Sequence, residues 1–270
     1  MRTFILQLHR INIFVAMGAG VLAFGWSSFL ELDNALIFSG LITFSVCGVY
    51  NAHRIYKCER KLSQPEMNDW YAKNKARVKS VFFISFMLLL VCLRMLNLTF
   101  SQYIFLGIGA LLSTWYVVPI FSFRLREISL LKAPLVALVW TGILVVFPQL
   151  KSMHFTLDFL AYALAFFCYF LALTIPFDVR DLSLDETTQD TIPMVLGVGK
   201  SRWLAVLLLI VSILIIAKFN QNSWLMFLLI PSYVITSVFI FATKEDRKDV
   251  FYAGLDATMV LVGIAFCLVS

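Results

Sequence analysis

The chain has 270 residues, of which 61% are hydrophobic and only 14% charged, with a mean hydropathy of +0.88 and a net charge of +6. Ordinary soluble domains carry about one quarter charged residues, so this composition excludes a soluble domain and points to a helical, multi-pass membrane protein. The basic surplus calls for no nucleic-acid partner, because its distribution along the chain is that of an insertion signal with attraction to anionic lipid heads.

A helix needs about 17 to 25 apolar residues to cross the hydrocarbon core, and the sequence divides into nine such runs. In chain order the predicted spans are 11–28, 34–50, 80–96, 101–119, 130–150, 156–177, 202–218, 222–242 and 250–269. Met1 to Arg10 is basic and precedes an apolar run, as in a signal peptide. No small-residue cleavage site follows, so the first run is read as a transmembrane helix. Two connections are long and polar, 51–79 and 178–201, and each follows a helix entering the same interface. Their spacing of four spans suggests a weak internal duplication within a single transmembrane domain, 1–270.

Lysine and arginine in short connections stay in the cytoplasm. The N-terminal segment and alternate connections carry 19 of the 22 basic residues, and only Arg94, Lys151 and Lys218 fall on the other face. The N-terminus is therefore expected in the cytoplasm and the C-terminus outside. Cys47, Cys58, Cys92, Cys168 and Cys267 lack metal or disulfide spacing and read as small core residues.

The stretch "IPFDVRDLSLDETTQDTIPMVLG", 175–197, sets Asp178, Asp181 and Asp185 at the end of an apolar run. On a continuous helix these positions fall within about 60° of arc. Three like charges that close need a cation among them. Mg²⁺ accepts all-oxygen ligation and shares its shell with substrate phosphates. The pattern thus points to a Mg²⁺-bridged diphosphate site on the cytoplasmic side, with Asp178, Asp181 and Asp185 as metal ligands and catalytic groups. A solvated acidic loop balanced by Arg180 and Lys200 is the plainer reading of the same residues. Ionisable groups beside a span mark function more often than not.

The same stretch resembles the second aspartate-rich motif of the UbiA superfamily of intramembrane prenyltransferases. "STWYVVPIFSFRLREISLLKAPLVALVW", 113–140, resembles that family's central segment, and "LHRINIFVAMGAG" and "FYAGLDATMVLVG" resemble its first and last helices. The resemblance covers nearly the whole chain and implies a nine-helix, UbiA-like bundle. It implies Mg²⁺-dependent ionisation of an isoprenyl diphosphate and transfer of the prenyl group to a hydrophobic, often aromatic, acceptor in the membrane. Tyr116, Arg124 and Lys132 match its central motif and are implied to help position substrate. Asp256, about two turns into the last span with no cation near it in sequence, is expected to face a cavity.

The first motif departs from the family. In "VYNAHRIYKCER", Asn51 fits, but the acidic positions carry Ala52, Ile55 and Glu59. Glu59 is then the one acidic candidate left there for the metal, unless it only partners Arg60. Arg54, Lys57 or His53 could contact the diphosphate directly, since cations can take over the neutralisation supplied by a lost metal. Arg54 lies about 140° from the centre of the arc that holds positions 52, 55 and 59. A slip of one residue would put Asn51, Arg54 and Cys58 on the binding face. The alternative is a catalytically impaired protein that binds an isoprenoid or phospholipid-type ligand without turnover. A structural subunit and a transporter are further readings of the same architecture.

Overall fold

The computed structural model describes residues 2–153, 155–182, 190–220, 222–244 and 249–270. In chain order the helices are α1 (Arg2–Arg10), α2 (Ile13–Phe29), α3 (Ala35–Glu59), α4 (Pro65–Met95) and α5 (Phe100–Val117). A one-turn 3₁₀ helix (Leu125–Glu127) follows, then α6 (Lys132–Gln149), which is continuous through a π-helical turn at Gly142–Val146. The rest are α7 (Leu157–Asp181), α8 (Ile192–Leu196), α9 (Val198–Phe219), α10 (Ser223–Phe241) and α11 (Asp249–Cys267). Among the described residues there is no strand, only an isolated bridge between Ile120 and Phe123.

Seven helices, α3 to α7, α9 and α10, are long and apolar enough to cross a membrane. The shorter apolar helices are α2 and the Ala253–Cys267 part of α11. Large apolar side chains such as Trp203, Leu214, Phe227 and Val238 point outward from the bundle. In a bilayer that is the expected arrangement, because lipid tails are as apolar as the core. The chain is an all-helical, multi-pass membrane protein.

Helix-to-helix packing runs as a circuit: α3 on α2, α2 on α11, α11 on α10, α10 on α9, α9 on α7 and α7 on α6. Helix α5 closes the gap between α6 and α3. Its Gln102 Nε2 donates to the Phe147 carbonyl at 3.2 Å, and the Ser113 carbonyl lies 2.8 Å from His53 Nε2. Thr99 starts α5 with a capping box, its hydroxyl accepting from the Gln102 N–H. One large apolar cluster draws residues from α2 through α11, with Trp26 at its centre against Phe166, Tyr162 and Phe266.

The polar segment 51–79, expected as a connection, is mostly helix. Helix α3 runs on to Glu59, and α4 begins at Pro65, a residue whose fixed φ suits a first helical position. These extensions pack on each other through Cys58, Tyr71 and Val78 against Ile11, so the chain needs no loop there. The remaining connection is 60–64. The basic N-terminal segment likewise forms α1 beside α11.

The tightest crossing is between α2 and α11. A Cβ added at Gly25 would overlap the Gly263 carbonyl, and one at Gly263 would lie 2.5 Å from the Val21 carbonyl oxygen. Small residues let transmembrane backbones touch in this way. Gly263→Ala should therefore destabilise the bundle by about 1–3 kcal/mol, the usual range for overpacking, whereas Gly107→Ala, facing open space, should not. Thermal unfolding of both variants in lipid nanodiscs reads the difference.

Candidate active site

The helix circuit encloses a cavity of about 430 Å³. One end is apolar, walled by Val136, Val139, Trp140, Phe170, Leu173 and Met259, with the Trp140 and Phe170 rings stacked at 5.3 Å. The other end is polar and is built from the C-terminal ends of α3 and α7, the 3₁₀ turn and the start of α6. Arg54, Lys57, Arg126, Lys132 and Arg180 face it, together with Asp178, Asp181 and Asp256.

Helix α7 delivers the second aspartate motif. At 100° per residue, Phe170, Leu173, Thr174, Phe177 and Asp181 share one face, and Asp178 and Arg180 flank it on opposite sides. The helix ends at Asp181, so of the three aspartates it carries Asp178 and Asp181, about 60° apart. Asp185 lies outside the described residues. Lys132, at the first turn of α6, reaches between the two carboxylates. Its Nζ is 3.1 Å from Asp178 Oδ1 and 4.0 Å from Asp181 Oδ2, and Lys132 and Asp178 are both buried. Arg180 Nε and one guanidinium NH₂ donate to the two Asp181 oxygens at 2.7 and 3.2 Å. The Arg180 guanidinium also lies over the Phe177 ring at 5.1 Å.

Helix α3 presents Tyr50, His53, Arg54 and Lys57 to the cavity, a face about 100° wide. Asn51 is turned away and fully buried. Its amide nitrogen donates to the Ile11 and Cys47 carbonyls at 2.8 Å each, and its oxygen accepts from Asn12 Nδ2 at 3.3 Å. Asn12 Oδ1 in turn accepts from Arg54 at 2.9 Å. Asn51 thus fixes the α1–α2 corner on α3 and acts on the cavity through Asn12 and Arg54. Of the three residues that a one-residue slip would put on the binding face, only Arg54 lines the cavity; Asn51 does not, and Cys58 packs with Ile11, Tyr71 and Val78.

Glu59, taken from the sequence as a metal ligand, stands about 180° around α3 from Tyr50. Its Oε1 takes Lys79 at 2.9 Å, Lys75 at 3.3 Å and the Tyr71 hydroxyl at 3.2 Å, so it braces α3 on α4. Arg124, taken as a substrate contact, does not line the cavity. Its backbone N–H and Nε donate to Glu127. Burial pushes the Glu127 carboxyl up, but these bonds hold it below its ordinary value. That clasp shapes the 3₁₀ turn, and the residue aimed into the cavity is Arg126. Tyr116 and Asp256 do line it, and Asp256 Oδ2 lies 4.0 Å from His9 Nδ1.

His9, Asn12, Tyr50, Arg126, Trp140 and Arg180 are among the cavity residues that sequence reasoning missed. For Arg126 the signal was its place in "RLRE", where an i, i+3 partner ties up Arg124. For the others no local pattern pointed inward.

The described residues do not by themselves complete the Mg²⁺ shell that the resemblance implies, whose Asp185 lies outside them. No three His, Cys, Asp or Glu side chains among them come together. An ammonium sits between Asp178 and Asp181, a guanidinium takes both Asp181 oxygens, and α3 offers cations where carboxylates were implied.

Removing one partner of a buried ion pair leaves an uncompensated charge and costs about 3–5 kcal/mol. Lys132→Met should destabilise the protein by that amount, and Lys132→Met with Asp178→Leu should regain most of it. Asn51→Ala and Asn51→Asp should each cost about 1–3 kcal/mol, the second because a carboxylate cannot donate to the Ile11 carbonyl. Unfolding midpoints of these variants in nanodiscs check both expectations.

No protein-family model matches the sequence, and no curated protein matches it. Among solved structures, the chain is similar to a digeranylgeranylglyceryl phosphate synthase, with a TM-score of 0.57 at 17% identity over 100% of this chain and 99% of that one. It is also similar to the apo structure of a UbiA homolog from Aeropyrum pernix K1, with a TM-score of 0.67 at 10% identity over 93% of this chain and 97% of that one. At such identities the likeness is one of fold: the chain has the all-helical fold of the UbiA-type membrane proteins.

Proposed function

We propose that this protein transfers a prenyl group from an isoprenyl diphosphate to a hydrophobic acceptor within the membrane. The observation that carries the reading is a single cavity that is cationic at one end and apolar and aromatic at the other, matching the two halves of such a substrate. The fold likeness supports it, since one structural neighbour is a digeranylgeranylglyceryl phosphate synthase.

In this reading the chain crosses the membrane nine times, with the polar end of the cavity and the N-terminus in the cytoplasm. The diphosphate lies among the side chains at the polar end, and the prenyl chain runs along Val136, Trp140 and Phe170. Heterolysis of the allylic C–O bond leaves the electron pair on the diphosphate. Cations already in place stabilise that charge best, because they need not reorganise as it develops. The aromatic wall keeps water from the allylic cation and faces it with π-electron density. The acceptor then bonds to the allylic carbon and loses a proton.

A second reading, binding without turnover, draws on the ion pairs of Asp178 and Asp181, which already have cationic partners. Incubation of the purified protein in nanodiscs with labelled farnesyl or geranylgeranyl diphosphate and a membrane lipid extract separates the two. Transfer predicts diphosphate release and label in a new product. Asp178→Ala with Asp181→Ala should reduce both by at least about a hundredfold, the scale set by removing charge-organising groups. Binding without release would favour the second reading, and equal affinity for farnesol and farnesyl diphosphate would overturn the transfer reading.

A further inference from the structure

Resting on the placement of a diphosphate at the polar end, the side chains there say how it is held. Among the described residues five Lys and Arg face that end against three Asp, and the cations come from four of the elements around it. Helix α3 contributes Arg54 and Lys57, the 3₁₀ turn Arg126, α6 Lys132 and α7 Arg180. Arg54 is oriented by Asn12, whose oxygen accepts from it at 2.9 Å.

The two aspartates bear on the cations as much as on the ligand. Asp178 holds the Lys132 ammonium at 3.1 Å, and Asp181 takes two N–H donors of Arg180 at 2.7 and 3.2 Å. A carboxylate so paired fixes a long, flexible cation in one geometry, which is the usual way a phosphate site is made rigid. Guanidinium groups bind phosphate bidentately, and ammonium groups act as compact point charges. We infer that the chain's own cations, Arg54, Lys57, Arg126, Lys132 and Arg180, hold the isoprenyl diphosphate in place of a metal-bridged shell. Asp178 and Asp181 are positioning residues for Lys132 and Arg180.

The test is direct binding of farnesyl diphosphate and of inorganic pyrophosphate to the full chain in nanodiscs, by calorimetry, in excess EDTA and in Mg²⁺. Farnesyl diphosphate should bind in EDTA within about threefold of its affinity in Mg²⁺. Arg54→Ala and Lys57→Ala should each weaken binding in EDTA about tenfold, the loss of one charge-assisted contact. Asp178→Asn should weaken binding by the same factor in EDTA and in Mg²⁺, because it loosens Lys132. A metal ligand would instead show its loss only in Mg²⁺, and that result would overturn the inference. Binding that appears only with Mg²⁺ would also overturn it while leaving the prenyl-transfer reading intact. The absence of binding to either probe in both buffers would remove the diphosphate site itself. The wild-type comparison needs no variant to fold.

Discussion

The polar end of this cavity depends on the Lys132 ammonium lodged between Asp178 and Asp181. Taking a lysine and two carboxylates out of water costs several kcal/mol per ion, and only close pairing offsets it. The pairing ties the first turn of α6 to the last turn of α7. These helices bring the apolar wall residues Val136, Val139 and Trp140 opposite Phe170 and Leu173. Charge pairing at one end and side-chain packing along the shaft therefore fix the same two helices. The cavity between them keeps its shape without the hydrophobic driving force that a soluble protein would use.

A second bracket sets the opposite wall. Asn51 bonds across to the α1–α2 corner, and this fixes the rotation of α3, so that Tyr50, His53, Arg54 and Lys57 face inward and Glu59 faces α4. A rotation of about 180° would have presented Glu59's side of the helix. The asparagine that matches the resembled motif is thus a scaffold residue, and it is the neighbouring basic residues that face the cavity. The cavity-facing end of α3 carries Arg54 and Lys57, on the helix end for which the resemblance implies carboxylates, and the fold is the same.

Much was legible in the sequence because bilayer physics acts on single segments. Each helix must be apolar over most of its length and must satisfy its own backbone hydrogen bonds, so apolar runs from 11–28 to 250–269 located helices that the structure contains. Polar character was less informative about helix ends. Residues 51–59 and 65–79 are helical although polar, because two helices that leave the apolar region together still pack on each other through Tyr71, Val78 and Cys58. Cavity lining was partly legible: Arg54, Lys57, Tyr116, Lys132, Asp178, Asp181 and Asp256 face it, whereas Asn51, Arg124 and Glu59 do not.

The sequence by itself determined that the chain is helical and membrane-spanning, that its charge gathers at the ends of particular helices, and that two aspartates share a face of α7. Those are properties of composition and of the 3.6-residue period, which are local. Only the tertiary structure decided which cation meets which carboxylate, because Lys132 and Asp178 are 46 positions apart and are joined by helix packing. It also decided the rotation of α3, through a hydrogen bond from Asn51 to a carbonyl 40 residues earlier. Side-chain charge is written in the residue, but the partner that neutralises it is set by how helices turn against one another.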